Sequence, residues 1–161
     1  MLKSKLCGKL LIAIGICLCM ISCQAKTISG KVVKVSDGDT FIVVQNKREY
    51  KIRLDGVDCP EARQAYGKRA KQFTSAQIYN RQVRVSYKKK DQYGRYLGTV
   101  YYGGGKNLNH EILKAGMAWH YKHYNQDKTL SNLETMARNK RVGLWADRQP
   151  VPPWIFRRYK S

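Results

Sequence analysis

The chain has little acid. Eleven Asp and Glu stand against 31 Lys and Arg in 161 residues, a formal charge of +20 and a pI near 10.0. Such an excess says little about fold but much about partners. It attracts polyanions (nucleic acid, anionic lipid or acidic glycans), although a ribosome-like or merely solvated basic surface has the same composition. Cysteine is nearly absent where a fold could use it. Of the five, Cys7, Cys17, Cys19 and Cys23 crowd the amino terminus and only Cys59 lies beyond. Once that terminus is removed, neither an intramolecular disulfide nor a Cys-pair zinc site can form, and an exported domain must rely on its core. The apolar run Leu10 to Ile21 is too short to span a bilayer comfortably. Internal repeats and HExxH spacing are missing, and low complexity is limited to short Lys and Gly clusters. What is present is a hydrophobic content of 43%, enough for the core of one domain and too much for a largely disordered chain.

The first 25 residues read as an address rather than as fold. Lys3, Lys5 and Lys9 precede the apolar run, and small residues around Ser22-Cys23-Gln24-Ala25 suit cleavage after Ala25. That cut removes three Lys and no acid, leaving +17. The favoured expectation is a soluble exported domain, secreted or periplasmic. Met20-Ile21-Ser22-Cys23 also resembles a lipobox, so a lipid-anchored envelope protein acylated at Cys23 is the alternative, and an uncleaved anchor a third. The expected division is residues 1–25 as signal, 26–146 as the domain and 147–161 as a Pro-rich basic tail.

Alternation of apolar and polar residues predicts strands over Thr27–Val35, Thr40–Val44, Tyr50–Leu54, Val83–Tyr87 and Tyr96–Tyr102. Helices are expected from Glu61 to about Tyr79, from Asn107 to about Gly116, and from about Lys128 to Lys140. The first would bury Ala65, Tyr66, Ala70, Phe73 and Ala76, and the last Leu130, Leu133, Met136 and Ala137. The stretch Gln149–Trp154 holds three prolines and is expected to be neither helix nor central strand, lying along the surface. Three strands, a helix, two strands and two helices suit an α+β fold: a five-stranded OB-type Greek-key barrel with about three helices.

Asp37, Asp39, Asp55, Asp58 and Glu61 are five of the six acids, out of eleven in the chain, that fall within 25 positions. Converging carboxylates repel unless a cation lies among them, and a hard one with oxygen ligands, calcium or magnesium, is the natural occupant. Taken singly, Asp37-Gly38 also reads as a hairpin turn and Asp58-Cys59-Pro60 as a loop break. Arg53 is expected on the strand face opposite Tyr50, Ile52 and Leu54, and Arg95 follows the turn Asp91–Gly94. Two guanidinium forks beside a divalent ion would clamp a phosphoryl group, although each alone is one surface cation among many.

Three segments together carry a resemblance. Val35-Ser36-Asp37-Gly38-Asp39-Thr40, Arg53-Leu54-Asp55-Gly56-Val57-Asp58-Cys59-Pro60-Glu61 and Asp91-Gln92-Tyr93-Gly94-Arg95 resemble, in order and approximate spacing, the motifs of the staphylococcal nuclease family. The likeness extends from about Thr27 to Trp145. It implies a calcium-dependent, sugar-nonspecific nuclease that cuts DNA and RNA to products with 3′-phosphate ends. By this resemblance Asp39, Asp58 and the Cys59 backbone carbonyl would bind one calcium ion. Asp37 and Thr40 would support those ligands, Glu61 would orient or deprotonate the attacking water, and Arg53 and Arg95 would bind the scissile phosphate. Two other readings stand beside it: a non-catalytic nucleic-acid-binding module on the same fold, and a basic surface lipoprotein.

The chain departs from the family pattern at Cys59, which stands where the type enzyme has Thr, and at Gln92, which replaces a phosphate-gripping Lys. It also shortens the stretch after Glu61. Lys88, Lys89 and Lys90 are candidates to compensate for Gln92. Tyr93, Tyr121 and Tyr124 are candidates to stack on bases, with core packing as the other reading. His120-Tyr121-Lys122-His123 has no acidic or Cys partner nearby in sequence, and His110, His120 and His123 read as satisfied or exposed side chains. Expected substrates are DNA and RNA, best when single-stranded or fraying. The expected state is a monomer with no protein partner, and with membrane contact only if Cys23 is lipidated.

Overall fold

The computed structural model describes residues 25–159. The expected address segment, apart from Ala25, and the lipobox cysteine lie outside these residues. Among those described, no helix is long and apolar enough to cross a membrane.

Five strands close into a barrel. They are β1 (Lys26–Val35), β2 (Thr40–Gln45), β3 (Arg48–Leu54), β5 (Gln82–Lys90) and β6 (Tyr96–Tyr102). Their order is β3-β2-β1-β5-β6, antiparallel throughout, and a parallel β3–β6 pairing completes the ring. Closure removes the sheet edges, and the alternating side chains fill the interior. Val32, Phe41, Val43, Ile52, Leu54, Val85 and Val100 are fully buried there. The α+β, OB-type reading is therefore the observed architecture.

Short elements decorate the barrel. β4 (Val57–Asp58) pairs with β8 (Trp119–His120), and β7 (Lys106–Asn107) extends β6. Helix α1 spans Gly67–Ile78, α2 Leu108–Lys114, α3 Lys128–Asn139 and α4 Pro153–Arg158, with a 3-10 turn at Gly143–Ala146. Asn107 and Asp127 cap α2 and α3 through their side chains.

Three expectations need correction. Helix α1 begins at Gly67 instead of Glu61, because residues 61–66 form tight turns closed by Gln64 N–H to Glu61 O (2.8 Å) and Gly67 N–H to Gln64 O (3.0 Å). Ala65 falls in the turn and Ala76 on the outer face of the helix, so both are exposed, and Gly67, Ala70, Thr74 and Ile78 are buried. On α3, Met136 points outward and Glu134 inward, where it receives the His120 backbone N–H (3.1 Å). The tail, finally, contains a helix. Pro153 occupies the first turn of α4, where the missing N–H costs nothing and the fixed φ suits helix. That segment packs on the domain through Trp154, whose ring stacks on Tyr121 with centroids 5.1 Å apart and planes 3° from parallel.

Candidate active site

The acids gather where the ends of β2, β3 and β4 meet. Asp39 precedes β2 and Asp58 ends β4, and both are buried, at 6% and 1% exposure. One guanidinium joins them: Arg53 Nη1 is 2.9 Å from Asp39 Oδ2 and Arg53 Nη2 is 2.8 Å from Asp58 Oδ1. Strand alternation accounts for this placement, since Ile52 and Leu54 fill the barrel and Arg53 faces the other way. Arg53 Nη1 also donates to the Val57 carbonyl (2.8 Å), tying β3 to β4.

Asp39 is fixed on both oxygens. Thr40 Oγ1 donates to Oδ1 (3.2 Å) and the Cys59 amide to Oδ2 (2.7 Å), while the Asp39 amide donates to Asp37 Oδ1 (3.1 Å). Close packing holds these loops together. A Cβ on Gly38 would lie 2.7 Å from Cys59 Sγ and 2.8 Å from Ala70 Cβ. The Gly38 carbonyl accepts from Thr74 Oγ1 of α1 (2.5 Å), so the helix pins the first acidic loop from behind.

Burial raises the carboxyl of Asp37 to about 7, with further push from the Asp39 charge. Burial likewise raises Asp58, against the lowering pull of Arg157 and Arg53. Burial also opposes the charge on Arg53, but the Asp39 and Asp58 carboxylates outweigh it and hold the guanidinium protonated. The Cys59 thiol is buried at 4% exposure and pushed well up, by burial first and then by Asp39, so it stays protonated and unreactive.

Every residue singled out from the sequence as a site candidate, except Lys88, lines one open cleft of about 590 Å³. Glu61 borders it from the turn before α1. Arg95 borders it from the turn before β6, with Nε held by Asp91 Oδ2 (2.7 Å) and the guanidinium 5.3 Å from the Tyr93 ring centre. Tyr93 is exposed at 71%. Lys89 and Lys90 reach the cleft, whereas Lys88 lies at the irregularity where the β5–β6 register shifts. Tyr121 and Tyr124 close the far side edge to face, at 4.8 Å between centroids. One face of Tyr121 is covered by Trp154, so Tyr124 is the more accessible of the two.

The donor set suits a hard divalent cation. It offers two buried carboxylates, a third behind them and backbone carbonyls, all oxygen. Among the described residues no group of three or more His, Cys, Asp or Glu side chains is arranged to hold a metal ion by itself. Two side-chain ligands on an open cleft would instead leave coordination positions for water and phosphate. Burial is the main cause that raises the carboxyls of Asp37 and Asp58, and the neighbouring Asp39 charge adds to both, an addition that a cation among them would relieve.

Sequence reasoning missed Arg157. From α4 it reaches Asp58 Oδ2 (2.9 Å) and Glu61 Oε1 (2.7 Å). No local pattern marks it among 31 cations. The nearest sequence signal was the Pro152-Pro153 start of a helix.

Comparison with known proteins agrees with this geometry. Residues 51–147 match the family model described as "Staphylococcal nuclease homologue". The chain is 43% identical over 133 residues to an "Uncharacterized endonuclease" of Escherichia coli O157:H7, covering 83% of this chain and 87% of that protein. It is 40% identical over 139 residues to a "Micrococcal nuclease" of Shigella flexneri, covering 80% of each. It is also 37% identical over 130 residues to the "Staphylococcal-like nuclease CAN1" of Arabidopsis thaliana, covering 78% of this chain and 40% of that protein.

Proposed function

The chain belongs to the staphylococcal nuclease family and is a nuclease, and on that premise we propose that it is a calcium-dependent, sugar-nonspecific phosphodiesterase leaving 3′-phosphate ends on DNA and RNA. The observation that carries the proposal is the meeting of Asp39 and Asp58 on one guanidinium, in the cleft that Glu61 and Arg95 also line.

In this mechanism Asp39, Asp58 and the Cys59 carbonyl would hold the calcium ion. Asp37 and Thr40 would keep the Asp39 carboxylate oriented. A bound calcium supplies Lewis-acid polarisation of a phosphate oxygen and tolerates changing coordination. Arg53 and Arg95 take phosphate oxygens and stabilise the extra charge of the five-coordinate transition state, a role that in comparable sites is worth on the order of 100- to 1,000-fold in rate. For this, Arg53 exchanges part of its hold on the two carboxylates for the phosphate. Glu61 accepts a hydrogen bond from the attacking water, or its proton, on the side opposite the leaving O5′.

Tyr93 and Tyr124 offer ring faces to bases, Tyr121 the face that Trp154 leaves open, and Lys88 and Lys89 offer charge to the backbone. Contacts of this kind read no sequence and favour single-stranded or fraying substrate. The whole constellation lies within one chain, which supports action as a monomer. Export of the domain from residue 26 onward is part of the proposal, supported by the basic, apolar and small-residue order of residues 1–25.

The test is hydrolysis of heat-denatured DNA with calcium, with excess chelator, and with calcium and Arg95→Ala. Rapid cleavage is expected only in the first, with a loss of about 100-fold or more for the variant. Equal rates in all three remove the proposal, and end-group analysis of the products checks the 3′-phosphate.

A further inference from the structure

Resting on the nuclease reading and deepening it, we propose that Arg157 is a positioning residue of this site and α4 one of its walls. The guanidinium fork of Arg157 spans two carboxylates. Nη2 lies 2.9 Å from Asp58 Oδ2, and Nη1 lies 2.7 Å from Glu61 Oε1 and 3.4 Å from Asp58 Oδ1. Arg53 holds Asp58 from the other side, at Oδ1. Asp58 is thereby gripped on both oxygens, and Glu61 is tied to it at a set separation. A planar five-donor fork bridges two acids at a fixed geometry, whereas an ammonium is a point charge on a flexible stem.

Glu61 needs such a partner. It belongs to a tight turn, not to a helix, and its side chain is 40% exposed. Besides Arg157, the tail holds that turn through Gln64. Gln64 Oε1 accepts the Glu61 amide (3.1 Å), and Gln64 Nε2 donates to the Val151 carbonyl just ahead of α4. The short helix is itself anchored. Pro153 is buried, and Trp154 stacks on Tyr121 and meets Trp119 edge-on at 5.6 Å. Arg157 is therefore presented from a fixed support.

Charge and exposure distinguish positioning from two rivals, a stabilising ion pair and a plug. Arg157 and Glu61 are 45% and 40% exposed, so that pair adds little to stability, and any stabilising share of the fork lies in its bond to the buried Asp58. Arg53 and Arg157 pair with Asp39, Asp58 and Glu61, three carboxylates to two guanidinium groups, so the cluster keeps net negative charge. Carboxylate oxygens also carry more than one acceptor site each. Arg157 thus leaves the demand for a cation intact.

The experiment compares the parent, Arg157→Gln and Arg157→Lys, each with and without Glu61→Gln, on oligothymidylate with calcium. Arg157→Gln is expected to lower kcat about 10- to 100-fold, the usual cost of losing a group that orients a metal-site ligand. KM should change less than about threefold, since the arginine acts through Glu61 and not on uniform binding. Arg157→Lys should fall between, and in the Glu61→Gln background Arg157→Gln should add little, the mark of two residues acting as one. Calorimetric titration of the metal-free proteins should show Arg157→Gln binding calcium at least as tightly as the parent.

Four results overturn the inference: kcat at or above the parent in Arg157→Gln, a parent-like Arg157→Lys, full additivity with Glu61→Gln, or calcium affinity weakened tenfold or more. If thermal melting shows Arg157→Gln unfolded, Arg157→Lys carries the comparison. A parent silent with calcium defeats the nuclease reading and takes this inference with it. An active parent beside an unimpaired Arg157→Gln removes only the role of Arg157.

Discussion

Asp37 shows how one buried carboxyl couples the site to stability. Burial, then the Asp39 charge, lift it from 3.8 to about 7. The folded protein therefore holds this proton more tightly than the unfolded chain. The stability so contributed is complete below the unfolded value and is lost as pH rises through about 7. In chelator, Asp37→Asn removes that penalty and keeps an oxygen to accept the Asp39 amide. Its melting temperature relative to the parent is expected to climb by roughly 5 °C between about pH 5 and pH 8. A difference that stays constant with pH contradicts this account. Asp37, Asp39, Asp58, Glu61, Arg53 and Arg95 were all legible in the sequence, because their motifs are short and local. Arg157 was not, since 99 positions separate it from Asp58 and only the packing of Trp154 brings it near.

At the level of elements, the turn before α1 carries the most consequence. A Cβ on Gly67 would lie 1.9 Å from the Glu61 carbonyl oxygen, inside any allowed contact. Gly67→Ala is expected to displace residues 61–66 while leaving the barrel intact. A shift of about 1 Å at a catalytic group costs on the order of 100-fold in rate, whereas the overpacking itself costs about 1–3 kcal/mol. Activity and melting, measured together, should separate the two, and a folded Gly67→Ala with parent activity refutes the claim. The turn explains why the first helix was misplaced from sequence. Ala65, Tyr66 and Ala70 have helical spacing, but the turn bonds of Gln64 and Gly67 delay the helix until Gly67. Prolines misled similarly in the tail, where Pro153 starts a helix instead of preventing one.

For the whole molecule, closure of the barrel and the charge excess act together. The barrel and the β4–β8 pair beside it bring the ends of β2, β3 and β4 together, and the +17 carried from residue 26 onward gives the molecule attraction for polyanions. Binding of single-stranded DNA in chelator is expected to be salt-controlled. With about three phosphates neutralised, affinity should drop tenfold or more between about 50 and 200 mM salt. A salt-independent affinity, measured by fluorescence anisotropy, would assign binding to stacking alone.

Sequence by itself determined the local properties: which segments alternate as strands, where the acids and arginines cluster, and that the charge seeks a polyanion. These follow from composition and from periods of two or 3.6 residues, which need no knowledge of neighbours in space. Tertiary structure alone decided that Asp39 and Asp58 share Arg53, that Thr74 supports Gly38, and that α4 returns to grip Glu61. Those contacts join residues on different elements, from 5 to 96 positions apart, and the chain commits to them only through burial of a common core.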